Sequence, residues 1–227
     1  MTRQTGTFGL VPSLMVAVSL ACLASGSASA GPVTMPALFP TPTSIELGSG
    51  TIALGRSVSL IAAPGVDPDT IALVRSILTA SGVKTITTAR RLPSVIDGTY
   101  VVLGTAAAPI VRDALARSRA VADNHAEGYT IASLASASGG VVTLAGHDAD
   151  GLFHAAQTFR QLARRSTIPA LVIQDHPAMP IRGTIEGFYG APWSMADRTK
   201  HLDFLATVKA NTYVLSLIHI SEPTRRS

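Results

Sequence analysis

Short apolar runs alternate with segments of helical periodicity throughout residues 39–177, and this alternation constrains the fold more than any other feature. Apolar residues recur at helical spacing over residues 69–80, 109–118 and 150–165, which predicts three helices. The runs between them are short, β-branched and bounded by Gly or Pro, which predicts strands. Because helices and strands do not alternate one for one, we predict an α+β domain with one mixed sheet and helices packed on it. The predicted strands cover residues 51–55, 57–63, 83–89, 99–105, 127–134, 140–146 and 169–177.

The amino-terminal segment, residues 1–30, has the features of an export signal. One basic residue, Arg3, precedes an apolar run over residues 10–23, and Ala28-Ser29-Ala30 forms a small-x-small cleavage pattern before Gly31. The run is shorter than the roughly 20 apolar residues that a spanning helix needs. We therefore expect a secreted, extracellular protein with no integral membrane segment after cleavage.

Cys22 raises the alternative of a lipoprotein anchor. The preceding Ser19-Leu20-Ala21 matches the lipoprotein processing pattern poorly, so this alternative is disfavoured. Cys22 is the only cysteine in the chain. Cleavage after Ala30 would leave an exported chain that can form no disulfide.

The carboxyl-terminal tail, residues 215–227, reads LSLIHISEPTRRS and has neither a turn signal nor a helical period. It resembles translated sequencing-adapter read-through, and we expect that it is not native. The formal net charge of the whole chain is +4. The arginine pairs at 90–91 and 164–165 lack interleaved aromatics, so no nucleic-acid partner is predicted.

One group of polar residues in the first domain could suggest a metal site or a calcium loop. His147, Asp148, Asp150 and His154 lie close together, but a calcium loop starting at Asp148 would need Glu where Phe159 stands. Capping of the following helix by Asp148 or Asp150 is the better explanation. His125 and His176 are each interpreted as a single loop histidine without a functional role.

A different pattern begins at IEGFYGAPWSMADR, residues 185–198. A predicted strand at 181–185 precedes this loop, and Ser194 with Asp197 forms a capping box at the start of a predicted helix, 195–210. The helix should bury its apolar side chains, and NTYV at 211–214 should form a second strand. In a barrel of such units, the loops that follow the strands form the active face. The side chains predicted to be buried are Leu202, Leu205 and Val208, with Phe204 beside them.

The composition of this loop is compatible with two roles. Gly187 and Gly190 can take positive φ and allow a ring-sized ligand to approach the backbone. Phe188, Tyr189 and Trp193 offer flat faces on which sugar rings stack. The same residues would also suit a glycine-rich turn whose aromatics only seal the end of a barrel, and composition leaves both roles open.

The residues from Arg182 onward resemble the opening of the catalytic barrel of glycoside hydrolase family 84. The resemblance rests on Arg182-Gly183, EGFYG at 186–190, Pro-Trp at 192–193, Arg198, and NTY at 211–213. Members of this family are β-N-acetylglucosaminidases, including hyaluronidase-like enzymes and O-GlcNAcases. The preceding segment, with GLFHAAQTFRQLARR and IPALVIQDHP, resembles the small α+β domain found before the barrel in these enzymes and in family 20 hexosaminidases.

The terminal patterns and the resemblance together predict four segments, and the resemblance also implies a chemistry. The segments are a signal at 1–30, a hexosaminidase-type α+β domain at 31–178, the start of a (β/α)8 TIM barrel at 179–214, and the tail at 215–227. The implied reaction is retaining hydrolysis in which the substrate's own acetamido group attacks, assisted by two aspartates. The partner is an N-acetylglucosamine-containing glycan, and no cofactor or metal is implied. Gly187 matches the glycine whose backbone contacts the sugar, and Phe188 and Tyr189 line the same subsite.

The match to family 84 stops after Val214. The family continues with Y-A-P-K-D-D, where this chain has Leu215-Ser216, so the lysine of that sequence is missing. The catalytic aspartate pair, which lies farther along the barrel in the family, is missing as well. No catalytic residue is therefore assigned, and the chain by itself is expected to be inactive. Glu186 is expected to be structural, pairing with Arg182 or another basic group.

Two alternatives stay open. One is a non-catalytic carbohydrate-binding or spacer module, which an exposed row of aromatics on the first domain would favour. The other is a family 20 β-hexosaminidase, which would continue after Arg-Gly with an Asp and an Arg-His pair in place of EGFYG.

Overall fold

A computed structural model describes residues 1–2, 37–187 and 193–215. The predicted export signal falls almost wholly outside these residues, as does the predicted tail except for Leu215. Phe188, Tyr189 and Gly190 also lie outside the described residues, so the structure does not test their predicted roles.

The first domain contains the predicted helices and strands, with boundaries shifted by a few residues. Its elements are β1 (Ser44–Ala53), β2 (Ser57–Ala62), α1 (Pro68–Ala80), β3 (Thr85–Thr88), β4 (Thr99–Thr105), α2 (Pro109–Arg117), β5 (Tyr129–Ser136), β6 (Gly139–Gly146), α3 (Ala149–Leu162) with a 3-10 turn (Ala163–Arg165), and β7 (Thr167–Asp175). The largest difference is at β1, which begins before Gly48 and Gly50. A register irregularity against β7 between Leu47 and Thr51 accommodates these glycines.

The seven strands form one sheet in the order β1-β7-β5-β6-β4-β2-β3. Strands β3, β2, β4 and β6 run parallel, while β5, β7 and β1 pair antiparallel. The prediction of a mixed sheet with packed helices is confirmed.

Both faces of the sheet are covered, which explains why its central strands are apolar at nearly every position. On one face Val101 and Leu103 of β4 pack in a core with α1 and α3, to which α3 contributes the fully buried Phe159. On the other face Val102 packs with Val111 and Leu115 of α2. Successive β4 residues thus enter opposite cores, as the two-residue period of a strand requires.

Aspartates fix the starts of two helices. The Asp67 carboxylate accepts a hydrogen bond from the Thr70 amide at 3.0 Å, and that of Asp148 accepts one from the Gly151 amide at 2.7 Å. The predicted cap of α3 is therefore Asp148, and Asp150 lies in the first turn. Such a cap stabilises a helix by about 1 kcal/mol.

The second segment, residues 182–215, is a single strand–helix–strand unit. It consists of β8 (Gly183–Glu186), α4 (Met195–Thr207) and β9 (Thr212–Leu215), and the two strands pair in parallel. Strand β8 begins later than predicted. Helix α4 ends three residues early because the chain turns at Lys209, whose backbone is left-handed with φ 62°. That this unit opens a barrel remains a prediction.

The predicted buried face of α4 is partly wrong. Leu205 is buried, but Leu202 and Phe204 are exposed and Val208 is half-buried. Leu205 is the one buried residue of α4 in the described structure, so most of the helix surface is uncovered. None of the helices in the described part of the chain is long and apolar enough to cross a membrane.

Candidate functional site

Gly187 lies immediately after β8, at the carboxyl end of the parallel pair. In open α/β sheets ligands bind outside the carboxyl ends of the strands, so this is the expected position for a site. A Cβ added at Gly187 would have no atom of the described residues within 4 Å. Its φ is not in the left-handed region, so Gly187 does not use the positive φ that a glycine can adopt. The described fold therefore does not itself require glycine at 187.

The carboxyl end of β8 at Gly187 forms a corner of the chain, and Glu186 is the last residue of the strand before it. Two partners hold the Glu186 side chain there. Nε and Nη2 of Arg198 donate to its two carboxylate oxygens at 2.7 and 2.8 Å, and the Tyr213 hydroxyl donates to Oε2. These hydrogen bonds, chiefly those from Arg198, lower the pKa of Glu186 to about 2. The carboxylate is thus ionised at neutral pH and cannot act as a general acid. The structural role expected for Glu186 is supported, with Arg198 as its basic partner instead of Arg182.

Polar contacts define the start of α4 and also join this helix to β8. The Ser194 hydroxyl oxygen accepts a hydrogen bond from the Asp197 amide at 3.2 Å and donates to the Asp197 carboxylate at 2.6 Å. The serine half of the predicted capping box is therefore confirmed, while the Asp197 carboxylate binds the hydroxyl. Farther along α4, Nε2 of His201 lies 2.7 Å from the Thr184 hydroxyl, and the Trp193 ring packs edge-on against His201 with centroids 5.0 Å apart.

The amino ends of β8 and β9 contact the first domain. The Arg182 guanidinium forms an ion pair with Glu127, which precedes β5, and Nε of Arg182 donates to the Lys209 carbonyl at 3.1 Å. The Asn211 side chain donates to the Pro180 carbonyl at 2.8 Å and accepts from the Arg182 amide at 3.0 Å. This contact lies at the opposite end of the parallel pair from Gly187.

A buried lysine completes this contact. Nζ of Lys209 donates to the Tyr129 hydroxyl at 2.6 Å and to the Asp175 carboxylate at 2.8 Å. The Tyr129 hydroxyl in turn donates to Asp175 at 2.9 Å. Burial lowers the pKa of Lys209, an effect that Asp175 opposes, and burial with the Asp175 charge raises the pKa of Tyr129 well above its usual value. The three groups form one charge-balanced cluster between β5, β7 and the turn after α4.

A cavity of about 260 Å³ opens beside this cluster. Its charged lining is already used in pairs, since Lys209 faces Asp175 and Arg182 faces Glu127. His154 also lines it, and burial lowers the pKa of that imidazole. The cavity is therefore a packing gap between the two segments, and the corner at Gly187 remains the candidate site.

The fold and the corner together define a class of protein: a mixed-sheet domain covered on both faces, joined to a parallel strand–helix–strand unit whose loop carries glycines and aromatics. Residues 35–176 match the sequence model of glycosyl hydrolase family 20, domain 2. This match spans more than half of the chain, so the chain belongs to that family. Residues 182–216 match a second model, described as beta-N-acetylglucosaminidase.

Solved structures share this fold. CpGH84D superposes with a TM-score of 0.71 at 23% identity, over 80% of this chain and 30% of its own. A glycoside hydrolase family 20 beta-N-acetylglucosaminidase gives 0.55 at 23% identity, over 81% and 31%. The family 20 exo-beta-N-acetylglucosaminidase from Vibrio harveyi, in complex with N-acetylglucosamine, gives 0.54 at 16% identity, over 79% and 25%. The chain thus spans less than a third of the length of each of these structures.

The sequence analysis did not predict two groups of interacting side chains. Lys209 stands in the short stretch VKANTYV, where nothing in the sequence marks a buried amino group. His125 and His176, interpreted as isolated, lie with their rings stacked 3.7 Å apart. The residues between them in sequence form β5, β6, α3 and β7, and only the antiparallel pairing of β5 with β7 brings them together.

Proposed function

We propose that this chain is the front part of a secreted β-N-acetylglucosaminidase of glycoside hydrolase family 84, which removes β-linked N-acetylglucosamine from glycans. The observation that carries the proposal is the corner at Gly187. It lies at the carboxyl end of β8, within the segment that matches the beta-N-acetylglucosaminidase model. Family 84 is favoured by the sequence EGFYG at 186–190 and by the family designation in the name CpGH84D.

The arrangement of the two segments supports the same proposal. The first domain packs against the amino ends of β8 and β9 through Arg182 and Lys209, at the opposite end of the strands from Gly187. In barrels of strand–helix units the carboxyl face holds the active site, and the amino face serves stability. The strand–helix–strand unit is accordingly proposed as the start of a TIM barrel.

The proposed chemistry is substrate-assisted retaining hydrolysis, in which the acetamido oxygen of the sugar attacks the anomeric carbon. Gly187 is proposed to contact the sugar through its backbone, with Phe188 and Tyr189 lining the subsite. Glu186 takes no part as an acid or nucleophile, because Arg198 and Tyr213 occupy its carboxylate. Its role is to hold α4 against the end of β8. The acid–base aspartates are proposed to follow Val214 in the full-length enzyme.

The test begins with a fresh determination of the coding DNA beyond codon 214. We expect it to restore Tyr-Ala-Pro-Lys-Asp-Asp or a close variant directly after Val214, and an Asp-Asp pair within the following barrel strands. The full-length enzyme should then hydrolyse a chromogenic β-N-acetylglucosaminide with retention of configuration. The 227-residue chain by itself should show no turnover. Turnover by this chain would contradict the assignment of the catalytic aspartates, and an independent genome that encodes residues 215–227 followed by a stop would contradict the proposed continuation.

Gly187 provides a sharper test in the full-length enzyme. Gly187→Val should lower kcat/KM at least about tenfold, which corresponds to about 1.4 kcal/mol of transition-state stabilisation. The control is Gly98→Val in the first domain, because a Cβ there also meets no described atom within 4 Å and its φ is not left-handed. Equal kcat/KM for Gly187→Val and the wild type would show that Gly187 is only a turn residue.

A family 20 β-hexosaminidase is the second candidate, favoured by the match of residues 35–176 to domain 2 of that family. It predicts a continuation without the Lys-Asp-Asp sequence. A non-catalytic carbohydrate-binding module is the third, and it predicts that the chain by itself binds chitooligosaccharides. Calorimetric titration with chitotriose separates this candidate from the proposed enzyme fragment.

A further inference from the structure

Glu186, Arg198 and Tyr213 join the three elements of the second segment at the end where the candidate site lies. Glu186 is the last residue of β8, Arg198 lies in the first turn of α4, and Tyr213 lies in β9. Nε and Nη2 of Arg198 each donate to a different carboxylate oxygen, at 2.7 and 2.8 Å, so the ion pair is bidentate. The Tyr213 hydroxyl donates to the oxygen that also accepts from Nε. One carboxylate thus connects both strands to the helix.

The ion pair closes the base of the loop between β8 and α4, residues 187–194. Glu186 directly precedes this loop, and Arg198 lies within one helical turn after it. The pKa of Glu186 is lowered chiefly by Arg198, and to a smaller extent by a hydrogen bond from the backbone of Trp193, near the far end of the loop. The Glu186 side chain is 7% exposed, so solvent competes little for its oxygens. Both ends of the loop are therefore tied to one carboxylate.

A second polar contact also fastens α4 to β8, farther from the loop. Nε2 of His201 lies 2.7 Å from the Thr184 hydroxyl. Thr184 lies two residues before Glu186, and both side chains are on the same face of β8 because strand side chains alternate. Attachment of the helix therefore does not depend on the ion pair alone. The ion pair differs from this contact in its place, since it lies next to Gly187.

Gly187 has no packing of its own that would fix it among the described residues. It is exposed, and a Cβ built there would meet no described atom within 4 Å. The direction of the chain at Gly187 therefore depends on how firmly Glu186 is held. A guanidinium that binds through two nitrogens fixes the plane of a carboxylate as well as its position, whereas the ammonium of a lysine acts as a point charge.

We propose that Arg198 is a positioning residue of the glycosidase: by holding Glu186 it sets the Gly187 backbone in the direction needed to contact the sugar. This role rests on the function proposed above, and it adds that the reaction requires the two-nitrogen geometry of the guanidinium and not only its charge. Groups that contact a substrate must be held close to the reactive geometry, and a misplacement of about 1 Å can lower the rate roughly 100-fold.

The kinetic test uses the full-length enzyme and a chromogenic β-N-acetylglucosaminide. Arg198→Lys keeps the charge and should lower kcat/KM at least about tenfold, with most of the loss in kcat, because correct placement matters most in the transition state. Tyr213→Phe leaves the ion pair in place and should cause a smaller loss, roughly two- to fivefold. It provides a milder test of the same network. Thermal unfolding shows whether each variant is folded at the assay temperature.

Thr184→Val is the matched control. It removes a polar contact between the same strand and the same helix, away from Gly187, and should keep kcat/KM within about twofold of the wild type. The position of Gly187 is measured without catalysis by nitrogen-15 NMR of the 227-residue chain. Its amide resonance should shift and broaden in Arg198→Lys, and should change less in Thr184→Val.

Three results would each overturn the positioning role. They are an unchanged kcat in a folded Arg198→Lys variant, an equal loss of kcat/KM in Thr184→Val, and a Gly187 resonance that does not respond to Arg198→Lys. Absence of hydrolysis by the wild-type full-length enzyme, together with a shifted Gly187 resonance in Arg198→Lys, would contradict the proposed function while supporting the effect of Arg198 on Gly187.

Discussion

The first domain and the strand–helix–strand unit use similar elements but differ in how much of their apolar surface is covered. Helices α1 and α3 cover one face of the seven-stranded sheet and α2 covers the other, so the central strands are buried on both sides. In the second segment, Leu205 is 6% exposed while Phe204 on the same helix is 58% exposed. Residues 44–175 thus complete a core from their own elements, whereas residues 182–215 depend on contacts outside themselves.

Those contacts are polar and lie at one end. Arg182 pairs with Glu127, and Lys209 reaches Asp175 and Tyr129. On the strand face away from α4, Ile185 and Val214 are exposed neighbours in the parallel register. Hydrophobic burial therefore stabilises the first region, while the position of the second depends on a few charged groups. Trp193, the only tryptophan in the chain, reports on the second region alone.

The largest expected effect on the free energy of unfolding comes from comparing two phenylalanines, one in each region. Phe159→Ala should lower the free energy of unfolding by about 3–5 kcal/mol, because it leaves a cavity in a fully buried core. Phe204→Ala should change it by less than about 0.5 kcal/mol, since its side chain is already in solvent. Urea denaturation followed by far-UV circular dichroism measures both. Similar losses for the two variants would contradict the contrast in burial.

The next effect concerns the buried lysine. Lys209→Met leaves the Asp175 carboxylate without its cation, which should weaken attachment of the second region by roughly 3 kcal/mol. The Trp193 fluorescence transition in urea should move to lower concentration, while the circular dichroism transition of the first domain moves less. Limited proteolysis should then produce a core ending near residues 177–182.

Two variants control for this interpretation. Lys200→Met removes an exposed cation from α4 and should leave the Trp193 transition in place. Combining Lys209→Met with Asp175→Asn removes both charges and should recover part of the loss, because no unpaired charge remains buried. A Trp193 transition that stays unchanged in Lys209→Met would show that the cluster does not hold the second region.

A smaller, pH-dependent effect follows from Glu186. Its pKa in the folded chain is lowered from 4.5 to about 2, chiefly by Arg198, so the folded state binds this proton less readily than the unfolded state. The stabilisation is therefore complete above about pH 4.5 and is lost as the pH falls towards 2. Trp193 emission should change over this range in the wild type. Glu186→Gln should lack this pH-dependent change in Trp193 emission. A pH profile identical to that of the wild type would contradict the assignment of the change to Glu186.

The smallest effect on stability is expected at the uncovered strand face. Ile185→Thr should change the free energy of unfolding by less than about 0.5 kcal/mol, because the side chain is exposed. It should reduce self-association, since Ile185 and Val214 form part of an exposed apolar surface. Sedimentation velocity over a range of protein concentrations measures the association. Unchanged association would show that another surface is responsible.

Local patterns were sufficient to predict most elements of the chain. The helical spacing of Val74, Ile77 and Leu78 predicted α1 because those side chains lie on one face, and the strand TYVVLGT was predicted with its observed limits. The cap of α3 was predicted to be Asp148 or Asp150, and the structure shows that it is Asp148. The prediction for α4 failed in part because periodicity shows which residues share a face but not whether anything covers that face.

The sequence by itself determined the classes of elements, their order, the glycine at the end of β8 and the resemblance to N-acetylglucosaminidases, because all of these depend on neighbouring residues. Only the tertiary structure decided which charged groups meet. Arg198 lies with Glu186, Lys209 with Asp175, and His125 with His176, and each pair is separated by at least part of one helix or strand. Such contacts depend on strand order and helix placement, which are set by the burial of the whole sheet and not by any short stretch of sequence.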